Sequence, residues 1–174
     1  MLIVMAGLPG TGKSAIARGL AQALSVVILD KDPIRAALFP PELLEYSTNQ
    51  DDFCMQIMLQ VADYILHKTP TQMVILDGRT FSRRYQLDAV AELAKKLNQQ
   101  LAIIECVWSD TTASGRLEGD ATQHLHVAEN RNFALYQSIK ARFEPIERPK
   151  VVLNTDHPLA ECTALAFTYV QKQL

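Results

Sequence analysis

The eight residues Gly7 to Ser14, GLPGTGKS, have the types and the order that a polyphosphate demands of a loop. They satisfy the pattern GxxxxGK[ST]. Glycines at 7, 10 and 12 let the backbone curl with no side chain in the way, so that successive amide hydrogens face one concavity. A helix starting near Lys13 adds its free N-terminal amides and the positive end of its dipole. In such a loop Lys13 reaches the β and γ phosphates and the Ser14 hydroxyl serves a magnesium ion. The nucleotide-binding set read from the pattern is Gly10, Thr11, Gly12, Lys13, Ser14 and Ala15.

Two acids follow the apolar run Val26 to Leu29: Asp30 and Asp32. Being two apart, they project from one face for as long as the backbone stays extended. A carboxylate near the γ phosphate can orient or deprotonate an attacking hydroxyl, a role worth roughly a hundredfold to ten-thousandfold in rate. The other can hold a magnesium-bound water. The plainer readings are a helix cap for Asp32, with Pro33 in the first turn, and a solvated strand end for Asp30. A third apolar run, Met73 to Leu76, ends in Asp77-Gly78-Arg79, aliphatics and then an acid, in the form of a Walker B strand. Arg79 lies nearest the expected pocket and could pair with an anionic or hydroxyl-rich acceptor. Arg83 and Arg84 read equally well as helix-start residues facing water. His124 and His126 form an HxH, but no cysteine or third histidine lies nearby to complete a zinc site.

The elements that must position these residues alternate along the chain. Leu2 to Ala6 reads as a strand, and Ala15, Ile16, Ala17, Leu20, Ala21 and Leu24 are spaced for an amphipathic helix behind the loop. Val26 to Leu29 predicts a buried parallel strand, followed by a helix capped by Asp32 and stopped by Pro40-Pro41. A loop to Gln50 precedes a helix over Asp51 to His67, its apolar stripe drawn through Phe53, Ile57, Val61, Tyr64 and Ile65. After the strand Met73 to Leu76 come a helix over Arg84 to Leu97 and a strand over Leu101 to Val107, with Trp108 expected to pack at its end. Ser109 suits a cap, and Gly115 to Gln123 loses all apolar periodicity, as a lid does. A helix over Val127 to Phe143, a short strand Val151 to Leu153 and a helix over Pro158 to Gln173 complete the chain. Strands alternating with helices give a parallel sheet covered on both faces, with ligands at the carboxyl ends of the strands. Asn154 to Pro158 follows the fifth strand.

Length and composition narrow the classes. The 174 residues suit one domain, residues 1–174, with an acceptor-site insertion over about 33–70 and a lid over about 109–127. A formal net charge of -2 disfavours long-range attraction to nucleic acid or an anionic membrane. Cysteines at 54, 106 and 162 are odd in number and far apart, which points to reduced thiols. With no basic leader and no apolar run of spanning length, the expectation is a cytoplasmic protein. The sequence carries no signature of oligomeric state.

GLPGTGKS, DKDPIR with its DxxR spacing from Asp32 to Arg35, and VILDGRTFSRR together resemble the P-loop kinases grouped with the 5'-kinase domain of polynucleotide kinase, zeta toxins and chloramphenicol phosphotransferase. The acidic pair DxD is also similar to shikimate kinase. HVAENR, His126 to Arg131, and RFEPIERPKVVLNTD resemble small bacterial "AAA family ATPase" proteins of this kinase type. The resemblance implies an α/β P-loop NTPase three-layer sandwich, with a five-stranded parallel sheet of order 2-3-1-4-5, helices on both faces and a lid. It implies ATP and Mg2+ as cofactors, with Ser14, Asp30 and Asp77 toward the metal. Lys13, Asp32, Arg116 and Arg131 form the implied catalytic set, Asp32 as general base and the arginines as neutralisers of the transferring phosphoryl group. Asp32, Arg35 and Arg79 form the implied acceptor set. One departure is visible: lids of this group often read RLxxR, whereas Arg116-Leu117 is followed here by Glu118, Gly119 and Asp120. Either Arg131 supplies the second charge or the lid works with one arginine.

The expected activity is transfer of the γ-phosphoryl group of ATP to a hydroxyl of a small molecule. A 5'-hydroxyl polynucleotide kinase is the alternative suggested by Asp32 and Arg35, but the acidic net charge and the lack of a lysine-rich or aromatic-interleaved stripe stand against it. Zeta-toxin-like transfer to a nucleotide sugar is another. A nucleotide-dependent switch is a different class; NKxD is absent, and Asp77 is followed by Gly78, Arg79 and Thr80 rather than DxxG.

Overall fold

A computed structural model of the chain describes residues 1–109 and 133–174. Among these residues the order is β1 (Leu2–Ala6), α1 (Lys13–Ala23), β2 (Val26–Asp30), α2 (Lys31–Leu38), a 3-10 turn (Pro41–Leu43), α3 (Thr48–Lys68) and β3 (Met73–Asp77). It continues with α4 (Arg84–Lys96), β4 (Leu101–Val107), α5 (Phe133–Ala141), β5 (Val151–Asn154) and α6 (Leu159–Gln171). All strand pairs are parallel and the sheet runs β2-β3-β1-β4-β5, the order expected from the sequence. Parallel neighbours need a crossover, and a helix supplies each one.

β1 sits at the centre with every residue fully buried, and its side chains alternate between two cores. Leu2, Val4 and Ala6 face a cluster with Met55, Met58, Ala62 and Leu66 of α3 and Leu87, Val90 and Ala94 of α4. Ile3 and Met5 face the other way, onto Ile16, Ala17 and Leu20 of α1 and Cys162, Ala166 and Val170 of α6. Each large aliphatic side chain withdrawn from water there stabilises the fold by about 1.5–3 kcal/mol. The sheet is thus anchored at its middle, which is also the strand that delivers the phosphate loop.

Four local expectations are corrected. β2 is an edge strand whose residues are half-buried rather than enclosed, because only β3 pairs with it. The cap of α2 is Asp30, which accepts from the Asp32 backbone N–H at 3.1 Å. Asp32 therefore lies inside the first turn, and the two acids do not share the face of an extended strand. The apolar stripe of α3 is Cys54, Met55, Met58, Ala62 and Leu66, while Phe53, Val61 and Tyr64 are exposed. Both sets have helical spacing. The sheet took the face with Cys54 and the methionines, with Ile65 of the expected stripe also packed against that core, and left Tyr64 and Phe53 outward, Phe53 meeting Phe39 edge-on at 5.8 Å. α3 also begins earlier than expected, at Thr48, with Ser47 as its cap.

Trp108 packs as expected, against Tyr136 of α5 and Leu8. The expected helix over 127–143 is described from Phe133 on; its beginning lies outside the described residues. Among the described residues no helix is long and apolar enough to cross a membrane.

Candidate active site

The phosphate loop leaves β1 between the ends of its two neighbours. Gly7 donates its N–H to Thr80 O at 3.0 Å on the β3 side, and a Cβ at Gly7 would lie 2.2 Å from Cys106 O on the β4 side. Only glycine fits that approach, at a φ of 129°. Thr11 Oγ1 donates to Leu8 O at 2.8 Å and tightens the bend. Lys13 folds back over the loop, donating to Gly7 O at 2.9 Å and Leu8 O at 2.8 Å. α1 then opens with no side-chain cap and no acid in its first turn. A helix N-terminus left in this way favours an anion.

Behind the loop, Asp30 and Asp77 are register partners at the carboxyl ends of β2 and β3. Asp77 is buried, and its Oδ1 has no hydrogen-bond partner among the described residues. A buried carboxylate oxygen without a donor is costly unless a cation or water serves it. Carboxylate oxygens such as those of Asp77 and Asp30, and a hydroxyl such as that of Ser14, are of the chemical type that suits a hard divalent cation.

Next to these strand ends the structure assembles a charge cluster only part of which is legible in the sequence. Lys31, Arg35 and Arg79 are all buried. Lys31 Nζ lies 2.8 Å from Asp51 Oδ1 and 3.4 Å from Asp32 Oδ1. Arg35 pairs with Asp32 Oδ1 at 3.5 Å through Nη1 and with Asp51 through Nη2, and its guanidinium stacks 4.9 Å from the centre of the Tyr46 ring. Arg79 Nη2 meets Asp52 Oδ1 at 2.5 Å, and Tyr85 donates its hydroxyl to the same carboxylate. Burial pushes the Lys31 ammonium down to about 8, against the opposing pull of Asp32. The structure brings Asp32 and Arg35, two residues of the expected acceptor set, into contact, and Arg79 lies in the same cluster through Asp52. Lys31, Tyr46, Asp51, Asp52 and Tyr85 were missed. The adjacent acids at 51 and 52 were a signal, but acids at a helix start are expected for the dipole alone.

Arg116, Arg131, the HxH at 124 and 126 and nearly all of the expected lid lie outside the described residues. Among the described ones, no group of three or more His, Cys, Asp or Glu side chains could hold a metal. Arg83 and Arg84 turn to Glu144 and Glu147, both at 3.2 Å, on the rim of a cleft of about 340 Å3 floored by Phe81, Leu87 and Ile146. After β5, Thr155 bonds Val107 O through both its N–H and its hydroxyl, and Asp156 accepts from Ser109 N at 3.1 Å.

Known proteins share this fold. The family model described as AAA domain (AAA_33) matches residues 2–146. A shikimate kinase of Rhodopirellula baltica is 25% identical over 160 residues, covering 88% of this chain and 80% of that one. A solved protein of Chloroflexus aurantiacus superposes with a TM-score of 0.78 at 21% identity, covering 99% of this chain and 97% of the other. A gluconokinase of Sinorhizobium meliloti does so with a TM-score of 0.72 at 18% identity, covering 98% and 91%.

Proposed function

Because the chain belongs to the AAA domain family, with a phosphate loop and an acid-bearing acceptor side, we propose that it is an ATP- and magnesium-dependent kinase acting on a hydroxyl of a small molecule. One observation carries the reading. The Asp32 carboxylate, held by Lys31 and Arg35 through one oxygen, stands at the same end of the sheet as a helix N-terminus that no acid occupies. The relatedness to a shikimate kinase and the likeness in fold to a gluconokinase support phosphotransfer as the reaction class.

In this reading the amides from Gly10 to Ala15 cradle the triphosphate, and Lys13 exchanges the carbonyls of Gly7 and Leu8 for phosphate oxygens. The acceptor oxygen forms a bond to the γ phosphorus as the bond to the ADP oxygen breaks. Asp32 takes the proton that the acceptor hydroxyl loses. Arg35 fixes the orientation of Asp32, and Arg79 belongs to the wall that holds the acceptor. Ser14, Asp77 and Asp30 would hold magnesium, directly or through water, and the ion would supply charge neutralisation on the phosphates. Arg116 and Arg131 are the proposed lid cations of the one domain formed by residues 1–174, with residues 33–70 as the acceptor insertion. Three buried free thiols support a reducing, cytoplasm-like compartment. The net charge of -2 supports a small-molecule partner over nucleic acid.

The test is acceptor-dependent release of ADP across hydroxyl-bearing metabolites, antibiotics, nucleosides and 5'-hydroxyl oligonucleotides. With an acceptor found, Asp32→Asn should abolish transfer and leave Mg-ATP affinity in place. Turnover that survives the substitution removes Asp32 as the base.

A further inference from the structure

Resting on the kinase reading above, we propose that the acceptor is an uncharged, hydroxyl-rich molecule, and that Asp51 and Asp52 at the start of α3 bind its hydroxyls while Lys31, Arg35 and Arg79 serve as their buried counter-charges. Asp51 shares both of its cations with Asp32, so a group bound to Asp51 is one ammonium away from the proposed base. Asp52 extends the same wall through Arg79 and Tyr85.

The layering decides the sign of the ligand. Side-chain exposure is 8% for Lys31 and 3% for Arg35 and Arg79, against 12% for Asp32, 25% for Asp51 and 34% for Asp52. An entering molecule therefore meets carboxylate oxygens first. These oxygens only accept hydrogen bonds, and a carboxylate or phosphate on the acceptor would face three of their kind. To reach Arg79 such an anion would have to displace Asp52 from a 2.5 Å contact. Beneath that contact, Nε and Nη1 of Arg79 have no hydrogen-bond partner among the described residues. Donors stripped of water with nothing to bond call for an acceptor atom. A hydroxyl both donates to a carboxylate and accepts from a guanidinium without adding charge. Stabilising the helix dipole would explain acids at these positions, but not their engagement with three buried cations drawn from α2 and from the segment after β3.

The experiment compares neutral pentoses, hexoses, alditols and inositols with the matched aldonic and uronic acids. It uses two readouts on the full chain: ADP release with Mg-ATP, and calorimetric binding to protein loaded with a non-hydrolysable ATP analogue. A neutral member should be turned over with kcat/KM roughly tenfold or more above its matched acid. Asp52→Asn should raise its KM by about tenfold with kcat and nucleotide affinity little changed. Asp51→Asn serves as a second variant, with its melting temperature measured to separate misfolding from lost binding. Transfer to the acids alone, or a lower KM for an acid in Asp52→Asn, where Arg79 is released, overturns the proposal and leaves the kinase reading standing. Binding of a neutral polyol without any transfer overturns the kinase reading and leaves the polyol site. Neither binding nor transfer across the series overturns this proposal.

Discussion

Gly78 stands against Asp30: at a φ of 85°, a Cβ built on Gly78 would lie 2.6 Å from Asp30 Oδ1 and 2.9 Å from Lys31 N. The β3 strand end and the first turn of α2 are in contact here with no room for a methyl group. Gly78→Ala combines a left-handed backbone with a clash on the residue that caps α2. It should cost about 1–3 kcal/mol of stability, read as a shift in the urea midpoint, and should displace Asp30 and Lys31 enough to depress ADP release. An unchanged midpoint would show that the α2 turn yields at no cost.

Lys13 spends its ammonium on the carbonyls of Gly7 and Leu8, so the loop is held by the group that the nucleotide would claim. Lys13→Met removes two charge-assisted hydrogen bonds that contribute about 1.5–3 kcal/mol each, offset in part by the apolar replacement. The unliganded protein should melt lower, and the rise in melting temperature produced by Mg-ATP should vanish. A rise of the wild-type size in the variant would mean that the triphosphate lies elsewhere.

Much of this was legible because it rests on short-range rules. GLPGTGKS between an apolar run and an amphipathic helix defines strand, loop and helix without reference to the rest of the chain, and the acids after two apolar runs mark strand ends. The face of α3 was not legible. Phe53, Val61 and Tyr64 have the same periodicity as Cys54, Met58 and Ala62, and only the sheet decides which set turns inward. The engagement of Asp51 with Lys31 and Arg35 joins residues from separate elements, so no local pattern announces it. The two-residue shift of the cap from Asp32 to Asp30 depends on where α2 begins, and cap positions shift most readily.

Arg35 ties Asp32, Asp51 and the Tyr46 ring together from a buried position. Removing it takes from both carboxylates a cation that they share. Arg35→Met should destabilise by about 3–5 kcal/mol, the scale for breaking a buried pair. Arg35→Lys keeps the charge but loses the fork and the stacking, and should recover much of the stability with little of the activity. Equal activity in Arg35→Lys and wild type would reduce Arg35 to a counter-charge.

The three cysteines are buried, and burial pushes the Cys106 thiol up to about 12. Native protein should therefore show almost no reaction with an aromatic disulfide reagent at pH 8, and all three thiols should react once it is unfolded. The sign for stability follows from the same shift. Above the ordinary thiol value of 9.0 the unfolded chain ionises Cys106 while the native chain cannot, so stability should fall as pH rises beyond it. Rapid labelling of Cys106 in the folded state would contradict the packing of β4 against the phosphate loop.

Glu144 closes the amino end of α4 from a distant part of the chain, accepting from Arg84 N at 2.6 Å and Arg83 Nη1 at 3.2 Å. The Arg84 backbone hydrogen bond first, and Arg83 after it, hold its carboxyl below the ordinary 4.5. A depressed carboxyl stabilises the native state at every pH above its unfolded value, and that contribution is lost as pH falls through the folded value. Glu144→Gln should accordingly lower the urea midpoint by a constant amount near neutral pH. The gap should close as the solution is acidified below about 4.5, where the unfolded carboxyl takes up its proton first and the native one follows at its lower value. Added salt should narrow the neutral-pH gap only in part, since the ion pair with Arg83 is screened and the backbone hydrogen bond is not. A gap that stayed constant from pH 7 to 3 would show that charge has no part in joining this segment to α4.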